Sequence, residues 1–142
     1  MKRILVTGGS GFIGSHIVEH YQGKAEVRVL DNLRTGRREN LSGLECEFLE
    51  GDVSDRAAVA EAVKGVDYIF HLAALVSVPE SMEKIVECNQ INAVGTIVLL
   101  EEAAKAGVKK LILSTSAANY GDNPVSPKVE TMIPEPKSPY SI

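Results

Sequence analysis

Short apolar runs alternate with amphipathic stretches along most of this chain. The apolar runs predict five buried strands, at 3–8, 26–31, 45–52, 67–74 and 109–117. The stretches between them predict helices at 12–21, 55–65 and 80–106, the last two closed by Gly65 and Gly107. Apolar strands that alternate with helices are typical of a parallel sheet covered on both faces. We therefore predict an α/β fold.

The chain beyond Tyr120 has a different character. It holds five of the six prolines and shows no steady period. An irregular run of more than about 15 residues inside a compact domain is usually functional or disordered. We therefore predict a folded domain at 1–120, followed by a proline-rich segment at 121–142.

Composition narrows the possible partners. A length of 142 residues allows one domain with a proper core, and the net charge of −4 argues against a nucleic-acid or anionic-membrane partner. No apolar run reaches the roughly 18 residues that span a bilayer, and no hydrophobic leader precedes the first strand, so we expect a cytoplasmic protein.

Cys46 and Cys88 lie far apart in no metal-like spacing, which predicts reduced thiols and no metal site.

The turn between the first strand and the first helix has the sequence TGGSGFIGSH. Its glycines fit both Gly9-x-Gly11-x-x-Gly14 and Gly8-x-x-Gly11-x-x-Gly14. Glycine allows a tight turn, lets a pyrophosphate approach the backbone and lets the helix pack closely on the strand. The helix N-terminus then directs free N–H groups at the phosphates. This context predicts a dinucleotide site in a Rossmann-type, doubly wound sheet with strand order 3-2-1-4-5.

The end of the second strand bears on which dinucleotide binds. Asp31 would accept hydrogen bonds from the adenosine ribose and repel a 2′-phosphate, which favours NAD over NADP. Arg34, Arg37 and Arg38 follow it, and they could hold a 2′-phosphate or simply form a solvated basic loop. We expect the second of these and predict NAD.

Taken together, these residues resemble the extended short-chain dehydrogenase/reductase family, and within it the nucleotide-sugar 4-epimerases. The resemblance covers the whole chain and rests on TGGSGFIGSH (7–16), DNL (31–33), GDV (51–53), HLAA (71–74), NAVGT (92–96), STSAANYGD (114–122) and SPY (138–140). It implies that the pyrophosphate of NAD contacts the glycine turn, at Gly8, Gly11, Phe12, Ile13 and Gly14. The ribose would contact Asp31 and Asn32, and the adenine Asp52 and Val53. The nicotinamide side would contact Leu72, Ala73, Ala74 and Tyr140. Asn92, a helix residue near the active site, is assigned to the same group.

The resemblance also implies a catalytic pair, Ser116 and Tyr140. Tyr140 would take the proton of the sugar 4-hydroxyl while the C4 hydrogen passes to NAD, and the 4-keto intermediate would be reduced on its other face. Ser116 would bond the same oxygen. A free tyrosine titrates near 10, and the lysine that lowers this value in the family would stand at position 144. We therefore expect residues 1–142 alone, which also lack a substrate lobe, to be a poor catalyst.

Several functions stay open at this point. The substrate is expected to be a UDP-hexose or a UDP-N-acetylhexosamine, and 74–82 and 120–130 most resemble the N-acetylhexosamine branch. A UDP-uronic acid decarboxylase or epimerase is a more distant alternative. Ala117 and Ala118 stand where related dehydratases carry an acidic pair, which argues against dehydration. A non-catalytic NAD-binding module is the alternative from another class, although the presence of Ser116 and Tyr140 argues against it.

The fifth strand predicts how the molecule associates. Its apolar residues 111–113 would lie at the edge of the sheet. Exposed edges of this kind recruit other chains. We therefore expect self-association through this strand, or a homodimer.

Overall fold

A computed structural model describes residues 1–142 and contains one sheet of five strands in the order β3-β2-β1-β4-β5. All four pairings are parallel. The strands are β1 (Arg3–Thr7), β2 (Glu26–Asp31), β3 (Glu47–Glu50), β4 (Tyr68–His71) and β5 (Lys110–Leu113). The α/β class, the doubly wound topology and the predicted strand order are confirmed.

Helices cover the two faces of this sheet. They are α1 (Phe12–His20), α2 (Arg56–Ala62), α3 (Val78–Glu83), α4 (Ile85–Asn89) and α5 (Gly95–Lys105), with a π-helical turn at Gln90–Val94. Because side chains alternate along a strand, β1 contributes to two cores. Leu5 belongs to the core with α2 and α5, whereas Ile4 and Val6 belong to the core with α1. None of these helices has the length and apolar character needed to cross a membrane.

The strand order reverses at β1. From β1 the chain moves outward to β2 and β3, then returns to place β4 and β5 on the other side. In sheets of this kind a crevice opens beyond the carboxyl ends of the strands at the reversal. The ends of β1 and β4 therefore mark where a ligand site is expected.

Several strands and helices have different bounds from those predicted. The run predicted as a strand at 67–74 is a strand only at Tyr68–His71, because the residues after His71 leave the sheet as a loop. The predicted helix at 80–106 begins two residues earlier and is not continuous. Lys84 adopts backbone angles of φ −120° and ψ 54°, which are not helical and separate α3 from α4.

The proline-rich segment folds back onto the domain. The backbone N–H of Glu135 donates to the carbonyl of Asn119 (2.7 Å). Further on, Pro139–Ser141 forms a 3₁₀ turn, capped by reciprocal hydrogen bonds between Ser138 and Ser141, that packs on α3 and α4. Tyr140 of this turn packs against the core that contains α2 and α5. The segment thereby brings Tyr140 to the crevice, while the division into two units at residue 120 stays a prediction.

Candidate cofactor and active site

A cleft of about 450 Å³ lies at the carboxyl ends of the strands. Seven parts of the chain line it, the last three through one or two residues each. They are the glycine turn (Gly8, Gly11, Phe12, Ile13, Gly14), the end of β2 and its loop (Leu30, Asp31, Asn32, Arg34, Thr35, Gly36), the end of β3 (Gly51, Asp52, Val53), the loop after β4 (Leu72, Ala73, Ala74, Val76), and Ile91, Ser114, Thr115 and Tyr140. The size of this cleft is typical of a small-molecule or cofactor site.

Two glycines allow the turn after β1 to be this tight. Gly8 has a φ of +71°, and a Cβ there would lie 2.8 Å from the backbone nitrogen of Ala73. At Gly14 a Cβ would lie 2.2 Å from the carbonyl oxygen of Gly8. The absence of a Cβ at Gly8 lets the loop after β4 approach β1, and its absence at Gly14 lets α1 pack against the turn.

The N-terminus of α1 fits an anionic group. Gly11 is its N-cap residue, and no side chain caps this end. The first N–H groups of a helix lack partners within the helix and carry its positive dipole end. The side chains of Phe12 and Ile13, in that first turn, are largely exposed and line the cleft. These features fit the pyrophosphate of a dinucleotide.

Asp31 is buried at the end of β2 and organises the adjoining loops. One carboxylate oxygen accepts the N–H of Ser10 (2.9 Å), and the other accepts the N–H of Leu33 (2.8 Å). Leu33 has a φ of +57°, so the loop turns sharply here. Each oxygen keeps a second lone pair, and Asp31 lines the cleft. Its position fits the predicted contact with ribose hydroxyls.

Asn32 and Asp52 form a second polar pair on the cleft wall. The Nδ2 group of Asn32 donates to Oδ2 of Asp52 (2.6 Å), and Ser54 donates to Oδ1 through its N–H (2.8 Å) and its hydroxyl (2.6 Å). Burial raises the pKa of Asp52, but these hydrogen bonds outweigh burial and hold it below its ordinary value. The carboxylate therefore stays charged beside the site predicted for the adenosine.

The three arginines after Asp31 have different surroundings. Arg34 alone lines the cleft, and its guanidinium is bound to Glu80 and Glu87. Arg38 stacks over the ring of Phe48 at 3.6 Å. All three arginines are exposed, in keeping with the expected solvated loop, and the charged groups of Arg34 and Arg38 also have partners within the protein.

A buried histidine supports the loop after β4. Thr7 Oγ1 accepts the N–H groups of Leu72 and Ala73 (3.2 Å each) and contacts Nδ1 of His71 (2.6 Å). Because both acceptor positions of Thr7 are filled, its proton must point to Nδ1. Nε2 of His71 contacts Thr96 Oγ1 (2.9 Å). Burial lowers the pKa of His71 to about 4.

Asn92 completes this network from the π-helical turn. Thr96 donates its hydroxyl proton to the carbonyl of Asn92 (2.6 Å), so Nε2 of His71 must be the donor to Thr96. The carboxamide of Asn92 accepts the N–H of Leu75 (2.8 Å) and donates to the Leu75 carbonyl (3.0 Å). Asn92 is not among the residues that line the cleft. It positions the loop that does, and its predicted contact with the cofactor stays a prediction.

Only one of the two catalytic candidates lines the cleft. Tyr140 lines it, as do Ser114 and Thr115 just beyond β5. Ser116 lies one residue further, and its Oγ accepts the N–H of Ala118 (3.1 Å). Ser114, Thr115 and Ile91 line the cleft although they were not predicted to belong to the site. The hydroxyl residues could have been suspected, since they follow a strand at its carboxyl end.

Comparisons with known proteins agree with this geometry. The model of the NAD dependent epimerase/dehydratase family matches residues 4–142. A curated UDP-glucose 4-epimerase of Klebsiella pneumoniae is 41% identical and covers 91% of this chain, which spans 99% of that protein. A second, from Neisseria meningitidis serogroup C, is 40% identical over 99% of this chain. A solved UDP-N-acetylglucosamine 4-epimerase of Methanobrevibacter ruminantium M1, in complex with UDP-N-acetylmuramic acid, is 40% identical over 99% of this chain with a TM-score of 0.92.

The lengths of these relatives differ from one another. This chain spans 44% of the Neisseria protein and 46% of the Methanobrevibacter protein. It therefore matches less than half of each of these two, in the part that carries the dinucleotide turn and the Tyr140 position.

Proposed function

Because the chain belongs to the NAD dependent epimerase/dehydratase family, we propose that it is the NAD-binding part of an enzyme that inverts C4 of a UDP-hexose or UDP-N-acetylhexosamine. The names of its relatives, UDP-glucose 4-epimerase and UDP-N-acetylglucosamine 4-epimerase, support both substrate classes. The observation that carries the proposal is that one cleft joins the dinucleotide turn to Tyr140 and to the hydroxyl residues after β5.

Different parts of the cleft wall would bind different parts of NAD. The first turn of α1 would bind the pyrophosphate, Asp31 and Asn32 the ribose, and Asp52 with Val53 the adenine. The loop of 72–74 would support the other end. When bound, NAD supplies reversible oxidation of the sugar carbon. The fit rests on the uncapped start of α1, whose first N–H groups lack partners within the helix, and on the cleft that this turn shares with Asp31.

We assign the role of acid and base to Tyr140, which lines the cleft. Its side chain would take the proton from the sugar 4-hydroxyl and later return it. Ser116 would donate a hydrogen bond to the same oxygen, since its Oγ already accepts from Ala118 and its own proton is free for another partner. Ser114 and Thr115 add hydroxyl groups along the same wall. No acidic side chain occupies positions 117 and 118, where a dehydratase would need one.

The proposal is tested by fusing this chain to the part of the Neisseria relative that it does not match, and by changing Tyr140→Phe in that fusion. We expect the fusion to interconvert UDP-glucose and UDP-galactose, or their N-acetyl counterparts. The Tyr140→Phe change should lower the rate by about a hundredfold or more and leave NAD content unchanged. An active Tyr140→Phe fusion would contradict the role of Tyr140, and a fusion that binds NAD without converting any UDP-sugar would favour a non-catalytic module.

We further propose that the chain self-associates through β5. This strand has β4 on one side and no strand on the other. Ile112 and Leu113 are 48% and 49% exposed. An unpaired edge with apolar side chains favours pairing with a second copy.

A further inference from the structure

The side chain of Arg34 lies where dinucleotide-binding folds distinguish NAD from NADP. An acidic residue at the end of the second strand favours NAD, whereas a nearby arginine accommodates the 2′-phosphate of NADP. This chain has both, because Asp31 ends β2 and Arg34 follows three residues later in the cleft wall. Sequence position alone therefore leaves the choice of dinucleotide open.

Two carboxylates already occupy the Arg34 guanidinium. One terminal nitrogen lies 2.5 Å from Glu87 Oε1, and the other lies 2.7 Å from Glu80 Oε1. Glu87 belongs to α4 and Glu80 to α3, 53 and 46 residues further along the chain than Arg34. Lys84 also contacts Glu80 (2.9 Å) and Glu87 (3.9 Å). The cluster holds two positive and two negative charges, so it offers no net positive charge to a phosphate.

The other charged residues that line the cleft are negative, and Arg37, with an exposed side chain, lies outside the lining. Asp31 and Asp52 line the cleft, and Arg34 is its only basic residue. The guanidinium of Arg38 lies over Phe48. A 2′-phosphate that binds Arg34 would therefore compete with two carboxylates and remain close to Asp31.

We infer that Glu80 and Glu87 are specificity-determining residues that exclude NADP by holding Arg34. Discrimination then has two parts: Asp31 favours a free ribose 2′-hydroxyl, and the two glutamates keep the neighbouring arginine from binding a phosphate. This inference rests on the proposed NAD site in the cleft. It goes beyond that site by assigning a role to two residues that do not line the cleft.

The test is calorimetric titration of the 142-residue chain with NAD and with NADP. For the unchanged chain we expect NAD to bind more tightly. In the double variant Glu80→Gln, Glu87→Gln, the freed guanidinium can form a charge-assisted bond to the 2′-phosphate, so the ratio of the NADP to the NAD dissociation constant should fall about tenfold. Adding Arg34→Gln to this variant should remove the gain.

The matched control is Glu39→Gln, Glu83→Gln, which removes the same charge from exposed glutamates that form no ion pair. It should leave the ratio unchanged, and circular dichroism should show all variants folded. An unchanged ratio in the Glu80, Glu87 variant, with NAD binding intact, would overturn this inference alone. A gain that survives Arg34→Gln would also overturn it. Failure of the unchanged chain to bind NAD would contradict both this inference and the proposed function.

Discussion

At the scale of single residues, Gly14 sets how closely α1 approaches the glycine turn. A Cβ at this position would lie 2.2 Å from the Gly8 carbonyl oxygen and 2.7 Å from the Gly9 Cα, and neither backbone atom can move without shifting the turn. We expect Gly14→Ala to lower the free energy of unfolding by about 1–3 kcal/mol and to weaken NAD binding. Urea titration and calorimetry measure the two effects.

Gly11→Ala is the matched control in the same turn. A Cβ there would meet only the Gly8 carbonyl oxygen, at 3.3 Å. Its effect on unfolding should be smaller than that of Gly14→Ala. Equal stability of the two variants would mean that the close approach of α1 does not limit the fold.

His71 links stability to pH because it is buried in its neutral form. Its pKa is about 4 in the folded protein and 6.5 without burial. The unfolded chain therefore takes up a proton before the folded one does, so stability is complete above 6.5 and falls as the pH drops towards 4. The loss from this residue between pH 7 and pH 5 should be about 2 kcal/mol, measured by urea unfolding at each pH.

The His71→Gln variant separates this effect from the titration of carboxylates. It should show a smaller loss between the two pH values than the unchanged chain. His16→Gln, which changes an exposed histidine, should keep the full loss. If His71→Gln lost as much stability as the unchanged chain, the neutral buried histidine would not be the cause.

At the scale of elements, Arg28 joins β2, β3 and the end of α2. Its guanidinium donates to Glu47 (2.8 Å) and to the carbonyls of Ala62 (2.8 Å) and Lys64 (2.9 Å), while the residue is only 7% exposed. It thus satisfies carbonyl groups that a helix end leaves unpaired. We expect Arg28→Met to lower the free energy of unfolding by about 2–3 kcal/mol, measured by urea titration.

Arg3→Met is the comparison for this change. Arg3 also pairs with a glutamate on a neighbouring strand, Glu26, at 2.7 Å, but both side chains are well exposed to solvent. Exposed pairs contribute little, so this variant should lose much less stability. Similar losses in the two variants would show that the carbonyl contacts of Arg28 are unimportant.

Helices and strands could be predicted where neighbouring residues in the sequence specify them. The glycines of 7–16 stand between an apolar run and an amphipathic stretch, and that order is enough to predict strand, turn and helix. The alternation of apolar runs with amphipathic stretches along the chain predicted the parallel strands. The break at Lys84 was not predictable, because no glycine or proline marks it in the sequence.

Contacts between elements that lie far apart in the chain could not be predicted from the sequence. Arg34 was noted only as a basic residue near Asp31, since nothing local connects it to Glu80 or Glu87. Asn92 was assigned to the cofactor, whereas its carboxamide is bound to the backbone of Leu75. In both cases the partner lies on another element and becomes visible only in the folded structure.

At the scale of the whole molecule, the sheet has one apolar edge at β5. Changing Ile112→Lys places a charge on this edge strand, which opposes pairing with a second copy. We expect the unchanged chain to sediment as larger species with rising concentration, and the variant to do so less. Val125→Lys, at an exposed residue outside the sheet, should behave as the unchanged chain does. A monomer at every concentration would contradict self-association through β5.

The central position of β1 also sets the order in which the cleft can be assembled during synthesis. A chain that emerges from the ribosome N-terminus first presents β1, β2 and β3 before β4 exists. The glycine turn is then available early, but the backbone of Ala73 that packs against Gly8 comes later, and Tyr140 later still. The parts of the cleft predicted to hold the pyrophosphate and the adenosine are therefore made before the part that contains Tyr140, and a nascent chain has its glycine turn before it has the wall that would enclose a ligand.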